Sequence, residues 1–153
     1  MTVTVRPLTE TDIPAYVEMA AEFHAACPVS DLMPFDPAGA QSFLASSLDN
    51  PAMGVWLSEI DGEIVGICAA VVYPMYFSPA NTAAQELWWW LTPAARGSGA
   101  AQLMFKKIEE WAKDNGAAAL FMIALHDDNV ERMAKLYGRA GLKPMERSFV
   151  KGL

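Results

Sequence analysis

The spacing of apolar positions changes several times along this chain, and each change marks a predicted element. After a short strand at Thr2 to Arg6, apolar residues from Thr9 to Cys27 recur at helical spacing, with Ile13, Val17 and Ala20 or Ala21 on one face. A proline-bearing stretch, residues 28–37, leads into a second helix that ends near Asn50-Pro51. Met53 to Ile60 and Glu63 to Tyr73 read as strands, and Asp61-Gly62 between them is a hairpin signal. Gln85 to Leu91 is the next strand. Gly99 to Asp114 is a helix with Ala100, Met104, Ile108 and Trp111 on its buried face, closed by Asn115-Gly116.

A strand from Ala118 to Leu125 follows, then a helix from Asn129 to Ala140. Asp128 and Glu131 have capping-box spacing at its start, and Gly141 stops it. Met145 to Val150 is expected as one last strand. The order β-α-α-β-β-β-α-β-α-β, with no internal repeat or linker, predicts a mixed α/β (α+β) fold forming one domain over residues 1–153.

Composition narrows the class. A chain of 153 residues that is 53% hydrophobic can bury a core without staples. Its two cysteines, Cys27 and Cys68, stand in no metal or redox spacing, so a reducing compartment and no metal are expected. Cys68 lies in an apolar strand with no histidine near it in sequence, which reads as core. The longest apolar stretch, Ile64 to Phe77, is interrupted by Pro74 and too short to span a bilayer, and no basic segment precedes an N-terminal apolar run. A cytoplasmic protein without membrane contact is the expectation. A net charge of −7 and a pI near 4.7 argue against a nucleic-acid partner, which would require a basic face.

The candidate chemistry sits between a strand and a helix. Residues 92–101 read Thr92-Pro93-Ala94-Ala95-Arg96-Gly97-Ser98-Gly99-Ala100-Ala101. Small residues from Gly97 to Ala101 let a ligand approach the backbone, the first N–H groups of the helix have no intrahelical partner, and Arg96 adds positive charge. These are the properties of a phosphate-binding turn. A nucleotide-hydrolase loop is excluded, because it needs Lys-Ser or Lys-Thr after its last glycine and Gly99 precedes two alanines. A dinucleotide fold needs Gly or Ala where Gln102 stands, and an acidic residue at the end of the next strand, which here closes on Leu125-His126.

What remains, Arg96, Gly99 and Ala101 after an apolar strand and a proline, resembles the coenzyme A loop of the GCN5-related N-acetyltransferases. A second segment, Asn129, Ala134, Tyr137, Gly141 and Leu142, is similar to another signature of that family, with Asn129 one residue early and Leu142 in place of Phe. The element order agrees over essentially the whole chain. The resemblance implies a mixed central sheet of six to seven strands flanked by about four helices. It also implies transfer of an acetyl group from acetyl-coenzyme A to a primary amine by direct attack in a ternary complex. The strands either side of the loop would splay, and the pantetheine arm would fill the gap as a pseudo-strand. Leu91 would offer its backbone to the arm, while Thr92, Arg96, Gly97, Ser98, Gly99, Ala100, Ala101 and Asn129 would complete the coenzyme site. Dimers are frequent among such proteins, so a homodimer is one of the oligomeric states left open.

Catalytic roles come from the same resemblance. Tyr137 would protonate the departing thiolate, which suits a phenol poorly ionised at neutral pH. It also shares a helical face with Met133, Leu136 and Ala140, so a core tyrosine with a satisfied hydroxyl is the competing explanation. Glu86, on the strand that feeds the loop, and His126, at the end of the next strand, are candidate bases. His24 is more simply a surface histidine. Trp88, Trp89 and Trp90 suggest stacking with an aromatic substrate, but a central strand buried on both faces explains them at less cost. Two other classes stay open: a coenzyme-binding sensor or structural module without catalysis, and a scaffold in which the glycine-rich turn only joins two elements. The acceptor would be shaped by residues 27–37 and the ends of the last strands.

Overall fold

The computed structural model describes all residues, 1–153. Five strands form one sheet in sequence order: β1 (Val3–Pro7), β2 (Met53–Ile60), β3 (Glu63–Met75), β4 (Ser78–Leu91) and β5 (Ala117–Phe121). The first four are antiparallel and β5 joins β4 in parallel. Four helices accompany them: α1 (Ile13–Ala26), α2 (Pro37–Ser47), α3 (Ala100–Asp114) and α4 (Val130–Arg139).

Local chemistry accounts for most of these elements. Asp61 adopts φ 50° in the β2–β3 turn, the conformation a two-residue hairpin needs. The Asp36 carboxylate accepts the Gly39 N–H and caps α2, with Pro37 in the first turn. A 3₁₀ turn at Glu10–Asp12 precedes α1, so the helix begins at Ile13 and not at Thr9. Arg6 of β1 clamps that turn by donating to Asp12 at 2.7 and 2.8 Å and to Glu59 at 2.8 Å.

Alternation along the strands buries both faces of the sheet. Tyr16 and Met19 of α1 and Leu44 of α2 pack with Val55, Leu57, Ile67 and Ala69 on one side. Met104 and Ile108 of α3 pack with Trp56, Cys68 and Ala70 on the other. The tryptophans follow the same rule: Trp88 and Trp90 lie against the first cluster and Trp89 against the second. Cys68 is a fully buried core residue, as its apolar neighbours suggested.

Three further expectations need correction. The sheet has five strands, not six or seven, because Met145 to Val150 forms no strand. Pro144 lacks an N–H, and Glu146-Arg147-Ser148 interrupts the apolar alternation that would bury one face, so Met145 and Phe149 stay exposed. The strand expected from Ala118 to Leu125 stops at Phe121, four residues early. The capping box of Asp128 and Glu131 does not form; Asn129 occupies the N-cap of α4 without a side-chain cap, and Asp127 accepts the Asn129 N–H instead.

Candidate active site

Pairing between β4 and β5 begins at Thr82 and Ala117 and ends at Gln85 and Phe121. Beyond Gln85, β4 continues for six residues with β3 as its only neighbour, so the sheet opens between β4 and the segment after β5. Which backbone groups face the opening follows from register. Thr92 donates to the Val65 carbonyl, which makes their pair hydrogen-bonded; in an antiparallel ladder the next pair, Leu91 with Gly66, is then not. The N–H and C=O of Leu91, and by the same alternation those of Trp89, point away from β3 and into the gap.

A bulge lies at the point where the strands separate. Ala69 faces Trp88 and Ala70 faces Glu86, so Leu87 has no partner. The extra residue lets Leu87 and Trp88 both pack on the α1–α2 side. Glu86 is placed opposite Ala70, a member of the α3-side cluster.

Glu86 is 3% exposed, and its Oε2 accepts the Ile123 N–H at 2.9 Å. Burial raises its carboxyl from 4.5 to about 7, and the Ile123 hydrogen bond moderates the rise. The Tyr137 hydroxyl, carried by α4, donates to the Ile123 carbonyl at 2.7 Å, and its ring stacks on Trp89 with centroids 6.0 Å apart. Burial, then the nearby Glu86 charge, pushes the phenol above its ordinary range, so it stays protonated at neutral pH. Tyr137 is thus a buried residue with a satisfied hydroxyl and also a neighbour of Glu86; on its helix Met133 and Leu136 share its buried side, while Ala140 is exposed.

The loop at the open end has four unspent donors. The Ser98 N–H bonds to the Ala95 carbonyl, and the Ala100 N–H reaches the Ser98 hydroxyl at 3.3 Å. The N–H groups of Gly97, Gly99, Ala101 and Gln102 have no partner within the chain. Gly97 and Gly99 adopt φ 92° and 93°, and a Cβ on either would meet nothing within 4 Å, so the surface above them is clear. Arg96 is exposed, lies 4.9 Å above the Trp90 ring and donates to the Leu91 carbonyl at 3.4 Å. Unpaired N–H groups at a helix start, beside a guanidinium, suit the pyrophosphate of a coenzyme.

Not every candidate residue joins this cluster. His126 is exposed in the turn after β5 and makes no hydrogen bond to Glu86 or Tyr137. The Nε2 of His24 bonds the Met33 carbonyl at 2.7 Å, which ties the end of α1 to residues 28–36. Asn129 stands at the start of α4. Sequence reasoning did not find Ile123, because its contribution is made by backbone groups that leave no side-chain signature. It also missed a cavity of about 410 Å³ between α1, α2 and β4, lined mainly by aromatic and aliphatic side chains; Phe43 beside Leu44 on α2 was the available hint.

No group of three or more metal-ligating side chains occurs, and no helix is long and apolar enough to cross a membrane. No curated protein sequence matches the chain. Among solved structures, a predicted acetyltransferase with acetyl-CoA from Clostridium acetobutylicum superposes with a TM-score of 0.76 at 15% identity, covering 99% of this chain and 96% of that one. The ribosomal-protein-alanine N-acetyltransferase of Brucella melitensis gives 0.73 at 18% identity, with 100% of both chains covered. The aminoglycoside 6'-N-acetyltransferase AAC(6')-Ih of Acinetobacter baumannii gives 0.75 at 16% identity, with 99% of each covered. At these identities the likeness establishes the shared fold. The sequence model of the acetyltransferase (GNAT) family matches residues 16–142, and the chain belongs to that family of acyltransferases.

Proposed function

We propose that this protein transfers an acetyl group from acetyl-coenzyme A to a primary amine by direct attack in a ternary complex. The observation that carries the proposal is the opening of the sheet after Gln85, with the Leu91 and Trp89 backbones facing it and unpaired N–H groups at its mouth. A pantetheine arm laid along β4 would satisfy those strand groups as an added strand does. Gly97, Gly99, Ala101 and Gln102 would hold the pyrophosphate together with Arg96. Thr92, Ser98 and Ala100 would shape the loop, and Asn129, at the start of α4, would add a contact to the coenzyme.

The coenzyme would bring an activated thioester; the chain's own groups handle the protons. Glu86 would take the proton released when the amine nitrogen bonds to the acyl carbon, directly or through water, and a carboxyl near 7 is matched to that task. A backbone N–H of β4 facing the gap would donate to the oxygen that gains charge. As the carbon–sulfur bond breaks, Tyr137 would give its proton to the thiolate. Glu86 is preferred to His126 as the base because it is buried in the cluster with Tyr137.

The first test is the unfolding midpoint with and without acetyl-coenzyme A, using ATP and NADH as controls. Ligand at a hundred times its Kd should add ~2.7 kcal/mol, a shift of several degrees produced by the coenzyme alone. No shift at millimolar coenzyme would overturn the proposal. Thioester cleavage dependent on an added amine then separates an enzyme from a coenzyme-binding module.

A further inference from the structure

None of the loop residues 92–101 lines the cavity between α1, α2 and β4, and its chemistry is unlike theirs. Four aromatic rings, Phe23, Phe35, Phe43 and Trp88, account for much of its wall. Three of the polar side chains that reach it, Tyr16, Trp88 and His24, make hydrogen bonds within the chain. The Tyr16 hydroxyl donates to the Cys68 carbonyl at 3.1 Å and accepts the Trp88 indole N–H at 2.8 Å. His24 bonds the Met33 carbonyl through its Nε2. No Asp or Glu lines the cavity.

We propose that this cavity seats the apolar body of the acceptor, so that the substrate is a monoamine carrying an aryl or branched alkyl group. The inference rests on the acetyltransferase reading above and adds the substrate class. A polyamine or aminoglycoside brings several ammonium groups, each needing a carboxylate or water to replace its hydration, and the cavity supplies no carboxylate. An aromatic ring loses no such partners there and gains edge and face contacts with the four rings. A volume of about 410 Å³ suits a body of one or two rings.

The cavity lies on the α1–α2 face of β4 and Glu86 with Tyr137 on the other, and the opening of the sheet beyond Gln85 is the way between them. Trp88 forms part of its wall, and Trp89, the next residue on β4, stacks on Tyr137 across the sheet. A monoamine seated here would have its ring among Phe23, Phe35 and Phe43 and its single ammonium at the opening of the sheet beyond Gln85, with Glu86 on the far side.

The test uses the full chain with acetyl-coenzyme A and four amines: 2-phenylethylamine, tryptamine, spermidine and kanamycin, read by release of free thiol. The expected result is a kcat/KM for the two aryl amines at least about a hundredfold above that for the polycations. Phe43→Ala, at a partly exposed position, should raise KM for 2-phenylethylamine about tenfold and leave KM for acetyl-coenzyme A unchanged. If Phe43→Ala folds poorly, Ala40→Phe, which fills the cavity, should raise the same KM. Preference for spermidine or kanamycin would overturn the inference, as would rejection of both aryl amines by a chain that acetyl-coenzyme A stabilises. Failure of the coenzyme itself to stabilise the chain would instead overturn the acetyltransferase reading, and this inference with it.

Discussion

Glu86 and Tyr137 hold the same residue from opposite sides: the carboxylate accepts the Ile123 N–H at 2.9 Å and the phenol donates to the Ile123 carbonyl at 2.7 Å. These two bonds pin the segment after β5 in the position where it has left the ladder with β4. The tyrosine proton is therefore committed to a backbone carbonyl before any reaction, and a leaving thiolate must compete for it. Replacing Tyr137 by Phe should lower kcat by at least ~10²-fold with little change in KM for the coenzyme. It should also cost about 1 kcal/mol of stability through the lost Ile123 hydrogen bond. A turnover within about twofold of wild type, measured at saturating substrates, would reduce Tyr137 to the anchoring role.

Glu86 makes stability depend on pH with a definite sign. Its carboxyl rises from 4.5 to about 7 on folding, so between those values the folded chain keeps a proton that the unfolded chain has released. Stability attributable to this group should fall as pH rises from 4.5 through 7, by about 3 kcal/mol at most, and level off above. Glu86→Gln retains an oxygen for the Ile123 N–H and carries no charge. Its unfolding midpoint should therefore exceed that of wild type at pH 8 and converge on it near pH 4.5. The same variant should lose the rise in turnover through pH 7 that a carboxylate base produces; unchanged pH slopes in both measurements would exclude Glu86 from either role.

Gly99 separates backbone strain from ligand contact. At φ 93° an alanine costs about 1–2 kcal/mol, yet its methyl group would touch nothing in the chain. Gly99→Ala should show that modest loss in denaturant unfolding. Its affinity for coenzyme A by calorimetric titration should fall further, by more than about tenfold, because the methyl group occupies the surface that a pyrophosphate would approach. Equal affinity would move the pyrophosphate away from this turn.

Ser58 is fully buried on β2, and its hydroxyl has no hydrogen-bond partner. Ser58→Ala removes an unsatisfied group at small loss of volume. The unfolding midpoint should rise by a few degrees, equivalent to ~1 kcal/mol. A fall of that size would mean that the hydroxyl has a partner in solution.

What the amino-acid sequence determined by itself is the set of features governed by contacts between near neighbours. The positive φ at Asp61, the glycines of the loop from Gly97 to Gly99, and the face of α3 carrying Ala100, Met104 and Ile108 depend on residues a few positions apart. The family-like loop was legible for the same reason. The tertiary structure decided everything that depends on register between distant segments. Glu86 and Ile123 are 37 residues apart, and Tyr137 lies 14 beyond Ile123. Their meeting requires the bulge at Leu87 and the end of β5 at Phe121, neither of which has a local signal. The strand expected at Met145 to Val150 was lost because a strand exists only where a partner edge and a buried face are both available. The aromatic cavity arose where α1 and α2 close over Trp88, since its shape is set by the packing of three elements and by the sequence of none of them alone.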